Sequence, residues 1–233
     1  MEGKLKGPIE AIFFDLGWTL VYPSTGHWLY ADAALPYLGE GEARTAIFRE
    51  TEKHWHAVMN EGHLWLSLAQ EWNAFRETYR RTSEALGLGW TDEILDTLTN
   101  DQVYSDRFYK VYDGVREMLE RLSKRYKLGI ISDTVPSVSE RLYKLGLLPY
   151  FTSVTLSCYV DARKPDLRIF RNALLNTGVA GERAVFVDDL APNLDAIGTL
   201  GVQGVQICAG PHVVPSDKHF TIENICDLEK LLP

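Results

Sequence analysis

Hydrophobic positions divide the chain into two textures. Ile9, Ala11, Ile12, Phe13 and Phe14 form a near-continuous apolar run broken only by Glu10. Such a run reads as a strand buried on both faces, the kind found in parallel sheets. It stops at Asp15, and Gly17 and Thr19 follow where the chain must turn. From Val21 to about Asp101 the period becomes helical and no strand is predicted. Residues 42–60 place Ile47, Thr51, Trp55, Val58 and Met59 on one face. Residues 64–86 do the same with Leu68, Trp72, Phe75, Tyr79 and Leu86. Gly62 and Gly87 follow as helix stops. Shorter helices fill 28–38 and 92–98.

Beyond Tyr112, helices and strands alternate. Val115, Met118, Leu119 and Leu122 mark an amphipathic helix, and 127–131 a strand ending on Ser132-Asp133. Pro136 opens a helix that Gly146 closes, and 153–156 is a short strand. Pro165-Asp166 starts a helix carrying Phe170, Ala173 and Leu174 and ending at Gly178. Residues 184–187 form a strand ending on Asp188-Asp189. A helix from Pro192 to Gly201, a strand over 202–207 and a helix over 221–232 complete the pattern. The expected fold is α/β: a doubly wound, parallel, Rossmann-like core of 1–20 and 105–233 with an inserted all-helical cap, 21–104.

Composition narrows the possibilities. The chain has 233 residues and a net charge of −8, which disfavours nucleic acid as a partner. Three cysteines, Cys158, Cys208 and Cys226, have neither metal-ligand spacing nor the even number of a disulfide framework. No run is long and apolar enough to span a membrane. The residues after Met1 do not resemble a signal peptide. A cytoplasmic protein, monomer or homodimer, with no membrane partner is expected.

Three predicted strands end on polar residues able to meet at one sheet edge: Asp15, Ser132 with Asp133, and Asp188 with Asp189. In open α/β sheets, ligands bind just outside the carboxyl ends of strands. Asp15 alone reads equally as a catalytic acid and as a cap on the next helix, and Asp188 equally as a metal ligand and as a helix cap. Gathered carboxylates call for a cation. Asp15 and Asp189 suit Mg²⁺, which takes one or two carboxylates and keeps several waters. Ser132 and Lys164, in Arg163-Lys164-Pro165-Asp166, supply a hydroxyl and a positive charge. The set would cradle a phosphoryl group and stabilise charge building on its oxygens.

These stretches, Asp15-Leu16-Gly17-Trp18-Thr19-Leu20, Ile131-Ser132-Asp133, Lys164-Pro165-Asp166 and Val187-Asp188-Asp189 with Asn193, resemble the motifs of the haloacid dehalogenase superfamily of hydrolases. The similar branch carries a helical cap right after the first strand. The resemblance implies a Mg²⁺-dependent phosphatase acting on a small phosphorylated metabolite. Asp15 would be the nucleophile of an aspartyl-phosphate intermediate. Ser132 and the backbone N–H of Asp133 would bind the phosphoryl oxygens, and Lys164 would hold Asp15 and phosphate together. Asp189, the Gly17 carbonyl and Asp15 would bind Mg²⁺, with Asp188 and Asn193 in support. Trp18 and Thr19 would border the substrate, and the cap would close over the cleft.

One position departs from the family pattern. A second Asp, which protonates the leaving group, usually stands two residues after the nucleophile, where this chain has Gly17. General acid–base catalysis contributes roughly 10²–10⁴-fold, so sugar phosphates should turn over slowly and activated esters should be affected far less. Trp18 also replaces the usual Gly, and Asp133 an Asn. In the cap, His27 and Trp28 follow the first strand closely enough to reach the site, and His27 is the candidate to replace the missing acid. His54 and His56 face different ways on a helix, which argues against a zinc site with His63. Trp55, Trp65 and Trp72 read as cap core, and Lys53 as a solvated lysine rather than the Schiff-base lysine of phosphonate-cleaving relatives. The alternatives are attack on carbon, as in the dehalogenases that also lack the second Asp and need no metal, and a catalytically impaired binding protein. No Arg lies between Thr19 and Arg44, which weakens the dehalogenase alternative.

Overall fold

A computed structural model describes residues 3–61 and 65–233. The expectations for Gly62, His63 and Leu64 fall outside the described residues. The chain divides into two compact units. One comprises Met1–Tyr22, Val111–Thr134 and Leu142–Pro233, the other Pro23–Lys110 and Val135–Arg141.

The first unit is built on a six-stranded parallel sheet in the order β5-β4-β1-β6-β7-β8. Its strands are β1 (Ala11–Phe14), β4 (Lys127–Ser132), β5 (Ser153–Leu156), β6 (Ala184–Asp188), β7 (Gln203–Ile207) and β8 (Phe220–Ile222). Two further strands, β2 (Val21–Pro23) and β3 (Tyr109–Val111), pair with each other. Every residue of β1 is buried, as a central parallel strand requires. Along β1, Ala11 and Phe13 face a cluster formed with Ile169, Phe170 and Ala173 of α7 (Leu167–Thr177) and Leu194 and Ile197 of α8 (Ala191–Gly198). Helix α4 (Val115–Ser123) packs against β4 through a stripe of Val115, Met118, Leu119 and Leu122. Gly129 of β4 sits beside Phe13, and a Cβ there would lie 2.6 Å from the ring.

Helix α7 starts where a short polar side chain satisfies one of its first free N–H groups. Asp166 caps α7 through Arg168 N–H, and Pro192 lies in the first turn of α8. The end of the chain departs from expectation. Instead of one helix over 221–232 there is β8, a 3₁₀ turn capped by Asn224, and the four-residue α9 (Leu228–Leu231). Ile222 is held in strand form by pairing with Ile207. A short α6 (Ser157–Val160) follows β5.

The second unit contains α1 (Gly41–Glu61), α2 (Leu68–Leu86) and α3 (Asp92–Tyr104). The expected helix over 28–38 is a 3₁₀ helix at Asp32–Tyr37 that holds Pro36. The helices surround an aromatic core in which Tyr30 stacks on Tyr79 and Trp55 on Phe75. Trp72 packs on this core and Trp65 on a neighbouring cluster with Val58 and Ala74. Residues 135–141, expected in the core, group with these helices. Val135 packs on the Val58–Trp65–Ala74 cluster, and Ser137, which opens α5 (Ser137–Lys144), bonds to Glu71 of α2.

Candidate active site

Parallel pairing brings the carboxyl ends of β4, β1 and β6 side by side. Asp15 directly follows β1, its N–H donating to Val187 O at 2.8 Å. Ser132 ends β4 and Asp188 ends β6, both buried. Lys164 arrives from the loop before α7. Its ammonium donates to Asp15 Oδ1 at 2.6 Å and to Asp188 Oδ2 at 2.7 Å, with its side chain only 4% exposed. The Asp133 carboxylate accepts the Lys164 main-chain N–H at 3.0 Å, fixing the base of that lysine. Asp188 accepts from Leu190 N–H at 2.8 Å and from Asn193 Nδ2 at 3.0 Å. It therefore anchors the turn that leads into α8 and serves as a counter-ion of Lys164.

Charge is not balanced here. Asp15, Asp188 and Asp189 are all buried, and Lys164 is the ammonium that Asp15 and Asp188 share. Burial pushes the Asp15 carboxyl up to about 8, against the pull of Lys164 and with the repulsion of Asp188 and Asp189 added. Burial and then Asp188 push Asp189 up to about 7. Burial would lower the Lys164 ammonium, but Asp15 and Asp188 outweigh it and raise its pKa. Asp15 and Asp189 thus hold their protons more tightly than free carboxyl groups do, and another cation beside them would oppose that. Among the described residues, no three His, Cys, Asp or Glu side chains are grouped to hold a metal. A hard cation such as Mg²⁺ needs fewer, taking one or two carboxylates and water. Two buried carboxylates short of positive charge fit that requirement.

The turn after β1 is tight. Trp18 N–H donates to Val21 O at 2.8 Å and Leu20 N–H to Leu16 O at 2.9 Å. Trp18 takes a left-handed backbone, φ 56°, which a bulky residue adopts only under constraint. Thr19 is fully buried, and its hydroxyl has no hydrogen-bond partner among the described residues. Gly17 brings no side chain to the turn. The sequence reading missed His212, in the loop after β7, whose Nε2 lies 2.7 Å from Asp189 Oδ2. The available signal was a histidine in a Gly-Pro loop after a parallel strand's carboxyl end.

Within the helical unit, His27 Nδ1 accepts Leu29 N–H at 3.2 Å and its Nε2 lies 3.2 Å from Glu52. Its ring stacks on Phe48 with centroids 4.0 Å apart, and burial lowers its pKa despite Glu52. His54 pairs with Glu50 at 3.0 Å, and Lys53 bonds to the same Glu50 at 2.6 Å. Trp28 meets Phe108 and Tyr109 edge-on.

A family model described as haloacid dehalogenase-like hydrolase matches residues 9–201. A glyceraldehyde 3-phosphate phosphatase of Methanothermobacter thermautotrophicus is 30% identical over 112 residues, 48% of this chain and 49% of that protein. A phosphoserine phosphatase of Thermus thermophilus is 35% identical over 108 residues, 45% of this chain and 43% of that protein. The matched segment thus spans about half the length of these curated relatives. The L-2-haloacid dehalogenase of Xanthobacter autotrophicus superposes with a TM-score of 0.70 at 17% identity, covering 96% of this chain and 98% of that one, a likeness of fold. With the family model matching most of its length, the chain belongs to the haloacid dehalogenase-like hydrolases.

Proposed function

We propose that this hydrolase is a phosphoric monoester phosphatase that acts on a small phosphorylated metabolite through Asp15. The observation that carries the reading is the buried Asp15 carboxylate clamped at 2.6 Å by Lys164. That ammonium keeps the nucleophile oriented and offers its charge to a phosphoryl oxygen. An Asp15 oxygen attacks phosphorus, and the bond from phosphorus to the ester oxygen breaks. Water then attacks the aspartyl phosphate, releasing inorganic phosphate and restoring the carboxylate. Ser132 and the Asp133 N–H are the donors for the phosphoryl oxygens, and Asp188 with Asn193 holds Lys164 in place. Asp15, Asp189 and the Gly17 carbonyl would hold Mg²⁺, which supplies positive charge against phosphate and carboxylate together. The curated relatives named for glyceraldehyde 3-phosphate and phosphoserine support a short phosphorylated substrate. A cytoplasmic setting belongs to the same reading; among the described residues, no helix is long and apolar enough to cross a membrane.

Gly17 supports a second reading, attack of Asp15 on a carbon–halogen bond, because a departing halide needs no proton. The two separate in one experiment. Purified protein is assayed for p-nitrophenyl phosphate hydrolysis with Mg²⁺ and with chelator, beside Asp15→Asn. The phosphatase reading expects Mg²⁺-dependent turnover that the variant lacks. No phosphate release, with halide freed from 2-chloropropionate in chelator, would replace it with the second.

A further inference from the structure

We infer that His212 is a positioning residue for Asp189, fixing that carboxylate in the orientation a divalent cation needs; this rests on the phosphatase reading. Nε2 of His212 lies 2.7 Å from Asp189 Oδ2. The carboxylate accepts, so Nε2 carries the hydrogen. The bond fixes one carboxylate oxygen, and with it the plane of the group, ahead of the cation. Partners of this kind orient ligands before the cation arrives, and their loss typically weakens metal affinity about 10–100-fold.

The loop is built to deliver this contact. Gln206, 1% exposed, donates from Nε2 to Asp189 O at 3.0 Å and to Val214 O at 3.1 Å. Its Oε1 accepts Ser216 N–H at 2.7 Å. One buried amide, on the strand that leads into the loop, therefore ties the stretch after His212 to the backbone of the residue that His212 touches. Gly210 keeps the ring's space clear, since a Cβ there would lie 2.9 Å from His212 Cε1. From the other side, Trp18 meets the imidazole edge-on with centroids 6.0 Å apart. This contact gives the left-handed Trp18 a purpose: its indole backs the histidine that holds Asp189. Two loops, after β1 and after β7, thus converge on one carboxylate.

The test uses the full chain and Mn²⁺ alone, titrated calorimetrically into the metal-free protein. His212→Ala should weaken Mn²⁺ binding about tenfold or more. His212→Gln, which keeps an N–H donor, should recover most of the loss. Gly210→Ala, which leaves the imidazole but crowds its seat, should weaken binding too, and it covers the case in which the alanine variant melts early in chelator. Unchanged Mn²⁺ affinity in His212→Ala, or equal losses in the alanine and glutamine variants, would overturn the role of His212 while leaving the phosphatase reading intact. A wild-type protein that binds no Mn²⁺ would overturn both.

Discussion

Each unit of this protein buries acidic side chains, and the two solve the problem differently. In the helical unit Glu71 is fully buried, and its two oxygens accept Ser137 N–H at 2.8 Å and Ser137 Oγ–H at 2.7 Å. Burial raises its pKa, and the two donors and Arg141 pull it back. That arrangement is closed: one carboxyl group, with its donors in place. In the sheet unit Asp15 and Asp188 share a single ammonium, and Asp189 beside them is pushed up by burial. A buried acid with its partners present is architecture; buried acids short of positive charge mark a place where something else binds.

The comparison can be broken by neutralising each acid in turn. Asp15→Asn should lower phosphatase turnover by about 10⁴-fold or more, as loss of a nucleophile does. In chelator the same variant should be more stable than the wild type. An acid whose folded pKa is raised from 3.8 to about 8 contributes stability at low pH that is lost as pH rises through that window. Thermal melts in chelator between those limits should therefore fall with pH in the wild type and fall less steeply in Asp15→Asn, where Asp189 still titrates. Gly17→Asp should place an acid beside the leaving group and raise turnover of a sugar phosphate by roughly 10²–10⁴-fold, with p-nitrophenyl phosphate little changed. Equal effects on the two substrates would remove Gly17 as the cause of any difference between them.

Smaller effects test the architecture. Glu71→Ala leaves the Ser137 donors unpaired and should cost about 1–3 kcal/mol in urea unfolding, with Glu71→Gln milder because one acceptor remains. Gly129→Ala drives a Cβ into the Phe13 ring and should cost about 1–3 kcal/mol. The smallest effect is at Glu77, which hydrogen bonds from Arg80 and Arg81 lower to about 2. Its contribution is present above the ordinary value near 4.5 and is lost as pH falls towards about 2. Glu77→Gln should flatten that acid limb of the melting curve.

Most strands of the parallel sheet and the site's strand ends were legible because a buried parallel strand leaves an unbroken apolar run, and the polar residue ending it is conspicuous. Phe13-Phe14-Asp15 and Phe186-Val187-Asp188 are of this kind. Strand β8 was not legible. Ile222, Ile225 and Leu228 have helical spacing, and only pairing of Ile222 with Ile207 decides otherwise. His212 was missed because its partner lies 23 residues away and its loop has no period. Glu71 did leave a trace: it stands four and eight residues before Phe75 and Tyr79, on the face that the helix buries.

The role of Asp15 is tested most directly by acid-quenching the protein during turnover of p-nitrophenyl phosphate with Mg²⁺ and mapping the phosphoryl group by mass spectrometry. Covalent catalysis through Asp15 predicts a phosphoryl group on the peptide carrying that residue, lost with chelator and absent from Asp15→Asn. Phosphate release at full rate with the phosphoryl group on another residue, or undiminished in Asp15→Asn, would contradict it.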